Sequence, residues 1–145
     1  MPRQRYPEYG GAEPYFALVR SALGDRVDGE HFFDIVADDI AYEVRYDLGW
    51  PRVTSGRADL MAQFMGYVGA IKLTSADNLI VNVADRGRVV ILEYEVHGAV
   101  LATGATYDNR FCSIVELAGR KITRWRDYMD SHAAWLALSA NAKPA

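Results

Sequence analysis

The sequence predicts an α+β domain: a curved antiparallel sheet wrapped around N-terminal helices to form a cone with one internal pocket. Two changes of texture carry this prediction. In the first half, apolar residues recur every three or four positions, as on a helix face; after residue 72 they alternate, as on a strand. Helices grouped ahead of strands favour one helical layer on one face of a sheet. The late strands are separated by turn-forming residues (Asp85-Arg86-Gly87, Gly98 to Gly104, Gly119-Arg120), which gives a four-strand meander. Long strands in such a meander twist and curl, and helices laid across the mouth close a cavity.

Each element has a local reason. Pro14 suits a first helical turn, and Phe16, Val19, Arg20 and Leu23 keep helical spacing until Gly24 ends it. Asp28 is placed to cap a second helix with Phe32, Phe33, Ile35 and Val36 on its apolar face, ending near Ala37-Asp38-Asp39. Ile40, Tyr42, Val44 and Tyr46 then alternate with Ala41, Glu43, Arg45 and Asp47, which is a strand, broken by Pro51. Leu60, Met61, Phe64, Met65 and Val68 mark a third helix over residues 55–68. Strands follow around Leu79 to Val83, Val89 to Val96, Tyr107 to Leu117 and Lys121 to Met129, with a short helix from Ser131 to Leu138.

Bulk composition narrows the function classes. A chain of 145 residues suits one domain, and 50% hydrophobic with 24% charged residues suits a packed core. We expect a flexible arm over residues 1–11, one domain over 12–140 and a tail over 141–145. A net charge of −3 argues against a nucleic-acid partner. The apolar runs are too short and too often interrupted by charge to span a bilayer, so no membrane partner is expected. The start, MPRQRYPEYGGAEP, carries no apolar run of a secretory signal, and the single Cys112 fits a reducing compartment, so the expected location is the cytoplasm. His31, His97 and His132 are far apart, no HExxH or CxxC spacing occurs, and neither Gly10-Gly11 nor Gly66-x-x-Gly69 sits after a strand. No metal and no cofactor are therefore expected.

Alternation along the last strand puts Thr123, Trp125, Asp127 and Met129 on one face, with Arg124, Arg126 and Tyr128 on the other. On other strands Leu92, Tyr94 and Val96 share a face, as do Tyr42, Val44 and Tyr46. If these faces point inward, Asp127 stands in an apolar cavity. Desolvation there raises its pKa toward neutrality, as general acid/base work requires, while Tyr42 and Tyr94 offer hydroxyls to hold it or to donate to an oxyanion. The same residues admit a structural reading: Asp127 as a bonded core carboxylate, the tyrosines as packing groups.

The segment YDNRFCSIVELAGRKITRWRDYMD, from Tyr107 to Asp130, carries a family pattern. Its marks are Gly104-x-x-Tyr107, the turn Gly119-Arg120-Lys121-Ile122, and Trp125-Arg126-Asp127-Tyr128 with Asp130; Phe33 to Asp39 is a weaker match. In these the chain resembles the SnoaL-like proteins of the nuclear-transport-factor-two-like superfamily. That superfamily holds polyketide cyclases, ketosteroid isomerase, limonene epoxide hydrolase and the PhzA and PhzB proteins of phenazine biosynthesis. The resemblance implies that Asp127 is the pocket acid/base. It also implies which companions are replaced: the cyclase histidine position falls at Ser113, the hydrolase arginine and second aspartate at Tyr94 and Val96, and its asparagine at Val44. Tyr42 matches the hydrolase tyrosine. The isomerase base position also falls at Val44, and a slip of one or two residues would bring Arg45 or Asp47 there instead.

The candidate catalytic set is therefore Asp127, Tyr42 and Tyr94, and the candidate substrate-lining set is Trp125, Val44, Val96, Ser113, Met129, Phe16 and Phe64. The expected activity is cofactor-independent acid/base chemistry on a hydrophobic carbonyl compound, of isomerase or cyclase type. The alternatives are an epoxide hydrolase and a non-catalytic binding or assembly module. The expected partners are a hydrophobic small molecule and a second copy of the chain. Tyr128, Ile91 and Ile114 on the outer sheet face would otherwise be exposed, and the family resemblance implies a two-fold dimer through that face.

Overall fold

The computed structural model describes residues 6–139. Helix α1 (Glu13–Leu23) buries Tyr15, Phe16, Val19 and Leu23 on one side, and Gly24 closes it at a positive φ of 55°. Ahead of α1, Pro7–Ala12 form a 3₁₀ turn that buries Tyr9 and Ala12. The chain therefore packs on the body from Tyr6 onward, where an arm was expected. Three contacts to two residues hold it: the Tyr6 hydroxyl donates to Asp34 at 2.9 Å, and both Tyr6 and Tyr9 meet the ring of Phe33. Residues 1–5 and the expected tail over 141–145 lie outside the described residues.

The second helix is one turn, α2 (Phe32–Ile35), capped reciprocally by His31 and Asp34. Asp28 caps nothing. Its backbone N–H donates to the Arg120 carbonyl at 3.0 Å, and its carboxylate accepts from Arg120 at 2.8 Å. The β-branched pair Ile35 and Val36 favours extension, and strand β1 runs from Val36 to Val44, earlier than the alternation indicated. After Pro51 a short strand β2 (Val53–Ser55) pairs antiparallel with β1. Helix α3 (Arg57–Ala70) follows and buries Leu60 and Phe64.

Four long strands complete the sheet: β3 (Ile71–Ala84), β4 (Val89–Val100), β5 (Thr106–Ala118) and β6 (Lys121–Met129). Helix α4 (Ser131–Ser139) starts where Asp130 accepts from the Ala133 N–H at 3.0 Å. The sheet order is β2-β1-β6-β5-β4-β3. The meander β3 to β6 is antiparallel, as expected, whereas β1 joins β6 in parallel. Gly98 marks the closest approach of β3 and β4, since a Cβ there would lie 2.1 Å from the Lys72 carbonyl oxygen.

The sheet curls around an aromatic core. Phe16 stacks on Phe32 with ring centroids 5.1 Å apart, and Phe32 meets the edge of Trp125 at 5.8 Å. One inward assignment fails. On β6 the buried residues are Ile122, Trp125 and Asp127, with Thr123 only half-buried and donating to the Glu116 carbonyl. A register shift between Glu116 and Leu117, against β6, displaces the alternation there by one residue.

Candidate active site

The curl encloses a cavity of about 310 Å³. Asp127 enters its wall from β6, flanked in the sheet by Val44 of β1 and Ser113 of β5. The carboxyl is 3% exposed. Its Oδ1 accepts from the Ser113 hydroxyl at 2.6 Å and from the Trp125 indole N–H at 3.0 Å. Both bonds fall on one oxygen, which leaves Oδ2 for a group in the cavity. Ser113 gives its proton to Asp127, so at the other side it accepts from the Tyr94 hydroxyl at 2.9 Å. The result is a buried chain, Tyr94 to Ser113 to Asp127.

Burial pushes the Asp127 pKa up to about 6, and the bonds from Ser113 and Trp125 hold it back from rising further. Asp127 is the one carboxyl among the described residues lining the cavity, and no lysine, arginine or histidine lines it. The tyrosines respond in the same direction. Burial raises Tyr15, Tyr42, Tyr67 and Tyr94 well above the ordinary phenol value, and Tyr107 to about 12. Their hydroxyls stay protonated at any working pH and remain donors. The Tyr15 hydroxyl is buried with no partner at full hydrogen-bond geometry, while those of Tyr42 and Tyr94 lie near enough to interact with it.

The structure brings some of the expected residues to the cavity and places others behind it. Asp127, Tyr42, Val96, Met129 and Phe64 line it. Tyr94 does not; its hydroxyl bonds Ser113 and its ring stacks on Phe111 at 5.5 Å, so its hydrogen-bonded link to Asp127 runs through Ser113. Ser113 and Trp125 lie outside the lining set and hold Asp127 from behind. Trp125 also stacks on Tyr42 at 5.9 Å. Val44 is buried beside Asp127 in the sheet without lining the space. Phe16 belongs to the aromatic core, packed on Phe32, Phe33 and Phe64.

Tyr46, read from alternation as inward with Tyr42, lines the cavity, but sequence reasoning missed much of the wall: Tyr15 from α1, Gln63 and Tyr67 from α3, Trp50 beyond β1, and Tyr107 and Phe111 from β5. The Gln63 Oε1 accepts from the Thr54 hydroxyl of β2, which ties α3 to the sheet edge. Tyr107 is fixed by Asn109, whose amide donates to the phenol oxygen at 2.9 Å. Nine tyrosines in 145 residues was the available signal, since five of them meet in this one cavity. Glu93 and Glu95 do not pair with Arg124 and Arg126; both arginines reach Glu116, at 3.6 and 2.9 Å, on the outer face. His97, on that outer face, sits between Asp77 and Asp108 at 2.9 and 2.6 Å.

Comparison with known proteins agrees with this architecture. A candidate isomerase from Bacillus subtilis superposes with a TM-score of 0.72 at 20% identity, covering 95% of this chain and 98% of its own. A phenazine biosynthesis-related protein, PhzB2, from Pseudomonas aeruginosa superposes with a TM-score of 0.64 at 24% identity, over 78% of this chain and 76% of its own. A candidate polyketide cyclase from Pseudomonas putida gives 0.67 at 17% identity, over 90% and 96%. At these identities the likeness is one of fold. In sequence, the uncharacterized protein YesE of Bacillus subtilis is 30% identical over 80 residues, which is 55% of this chain and 54% of YesE. This chain thus matches about half the length of that curated relative. Among the described residues no helix is long and apolar enough to cross a membrane. A profile of the SnoaL-like domain matches residues 15–125, and the chain belongs to that family.

Proposed function

We propose that this protein is a cofactor-independent acid/base enzyme acting on a hydrophobic carbonyl compound, of isomerase or cyclase type. The observation that carries the reading is Asp127: a buried carboxyl in the wall of an apolar cavity, poised near pH 6, with the Ser113 and Trp125 hydrogen bonds both on Oδ1. A base so poised is largely ionised at neutral pH yet still a competent acid once protonated. Asp127 Oδ2 takes a proton from carbon next to the carbonyl, and the C–H electron pair moves into the carbonyl to give an enolate. The Tyr42 hydroxyl, which lines the same cavity and stays protonated, donates to the enolate oxygen. Asp127 then returns its proton to carbon, at the original or a conjugated position. Tyr94 is a positioning residue, since it orients Ser113 and through it the carboxylate.

The test is solvent deuterium incorporation into a panel of apolar ketones, followed by NMR. Wild-type protein is expected to exchange the α-proton of at least one, and Asp127→Asn to lose about a hundredfold to ten-thousandfold in rate. Full exchange by the Asn variant would remove Asp127 from the mechanism. The epoxide-hydrolase reading has less support, because Tyr94 and Val96 stand where it needs an arginine and a second carboxylate.

A two-fold dimer through the outer sheet face is part of the same proposal. Register aligns Ile80, Glu93, Cys112 and Tyr128 in one row across β3 to β6, beside Ile91 and Ile114. Ile80 is 56% and Tyr128 39% exposed. Sedimentation at micromolar concentration is expected to give a dimer, and a Tyr128→Glu variant a monomer; a wild-type monomer would end this part of the reading.

A further inference from the structure

The cavity has an unusual charge balance. Asp127 is a buried carboxylate supplied with two hydrogen bonds and no counter-charge. The arginines on and beside the neighbouring strands are committed elsewhere: Arg45, whose N–H donates to the Asp127 carbonyl, reaches Glu43 at 2.9 Å, Arg124 and Arg126 reach Glu116, and Arg110 reaches Asp130 at 3.3 Å. Around the carboxylate stand Tyr15, Tyr42, Tyr46, Tyr67, Tyr107 and Trp50. Aromatic faces carry negative quadrupolar potential and attract cations, most strongly where water is excluded. A site with one anionic group, electron-rich walls and no basic side chain is complementary to a positive charge on an apolar body. A strongly hydrated small cation would have to give up too much water to enter. A substituted ammonium spreads its charge over surrounding alkyl groups and loses less.

We propose that this cavity binds a lipophilic ammonium ion, a quaternary or protonated amine carried on an apolar group, with Asp127 as its counter-ion and the tyrosine and tryptophan rings as its cage. This goes beyond proton transfer. It requires Asp127 to be ionised, not to move a proton, so either activity can fail without the other. The cation sits against Oδ2, since Oδ1 is occupied by Ser113 and Trp125.

The groups facing Asp127 define the pH dependence. They are Tyr15 of α1, Tyr42 of β1, Tyr67 of α3, Tyr94 of β4, Tyr107 and the Cys112 thiol of β5, and Tyr46 in the segment after β1. The phenols and the thiol are all displaced upward, so none changes charge between pH 4 and 8. Only Asp127 does. Cation affinity is therefore flat above its pKa of about 6 and falls about tenfold per pH unit below it.

The experiment compares three probes of similar shape on the whole chain: benzyltrimethylammonium, its uncharged carbon isostere neopentylbenzene, and the anion phenylmethanesulfonate. Binding is read from tryptophan fluorescence and by calorimetry. At pH 8 the cation is expected to bind about tenfold or more tightly than the isostere, with the anion weakest. At pH 4.5 the cation is expected to weaken about thirtyfold while the isostere holds constant. In Asp127→Asn the preference for the cation should shrink to what the rings alone supply, with isostere affinity retained. Tyr46→Leu should weaken the cation more than the isostere, so the proposal is tested even if the Asn variant does not fold. An isostere that binds as tightly as the cation at pH 8, or a cation preference undiminished at pH 4.5, overturns it. The quaternary probe has no ionisable proton, so its binding says nothing about α-proton exchange, which remains a separate readout.

Discussion

Asp127 and Asp130 stand three residues apart at the end of one strand and are driven in opposite directions. Asp127 points into the cavity, and burial lifts its pKa to about 6. Asp130 caps α4 in solvent; the Ala133 N–H, with help from the nearby Arg110, holds its pKa below the ordinary carboxyl value. Alternation along RDYMD sets Asp127 inward, but gives no hint of what holds Asp130. The split arises from which side of the sheet each carboxyl leaves by and whether donors or apolar walls await it. Asp130 is a carboxylate that the fold uses. Asp127 is one that the fold tolerates, and an ionised group retained against its own desolvation is where function should be sought.

The contrast can be broken in order of expected size. An acid whose folded pKa is raised is easiest to fold while protonated in both states, below its unfolded value near 3.8. The penalty then grows with pH and is complete above about 6. A displacement of about two units corresponds to about 3 kcal/mol. Asp127→Asn, whose amide oxygen can still accept from Ser113 and Trp125, is therefore expected to stabilise the protein at pH 8 by up to about 3 kcal/mol and to change nothing near pH 4. Denaturant melts at both values decide it, and a variant less stable at pH 8 would contradict the desolvated state of Asp127.

Ser113→Ala is the next largest. It removes a donor to Asp127 and leaves the buried Tyr94 hydroxyl unpaired, for a loss of about 1–3 kcal/mol. It should also move the Asp127 titration, followed by carboxyl NMR, further upward. Tyr94→Phe acts one bond further out, with a loss of about 1 kcal/mol and a smaller upward movement. If Tyr94→Phe moved the titration more than Ser113→Ala, the order of the chain would be wrong. The smallest effect belongs to Asp130→Ala. Its folded pKa is depressed, so its stabilising contribution is present above the unfolded value and lost as pH falls through the folded one. A Tm reduction of a few degrees at neutral pH, absent at low pH, is expected.

What could be read from sequence depended on range. Strands β4 and β6 gave up Tyr94, Val96, Trp125 and Asp127 as inward residues because alternation is a local rule. The same rule misplaced Thr123, because a register shift depends on the partner strand. Likewise β2 has only three residues, too few to show a period, and exists because β1 offers it an edge. The far wall was illegible for a different reason. Tyr15 and Tyr67 are helical residues beside, not on, the apolar stripes that periodicity marks, and Trp50 lies where strand alternation has stopped; Tyr46 alternates inward, yet β1 itself ends at Val44. Only the fold turns a core-facing tyrosine into a ligand-facing one.

The parallel contact between β1 and β6 has a consequence for how the protein is made. Val36 pairs with Ile122, and Val44 with Asp127. Nearby, the turn after β5 clasps the early chain, where Arg120 reaches Asp25 and Asp28 and Lys121 reaches Asp34. These contacts close long loops, and chains dominated by such pairings fold slowly because the entropy of closure comes before the reward. Before the last strand docks, the early tyrosines and the aromatic core have no wall to face. Emerging from a ribosome, the chain would carry an open apolar trough until β6 is added, and the strand that seals it is the one that brings the carboxylate. The cavity and its charge thus come into being in a single late event, and a chain stalled before it would be prone to aggregate rather than partly active.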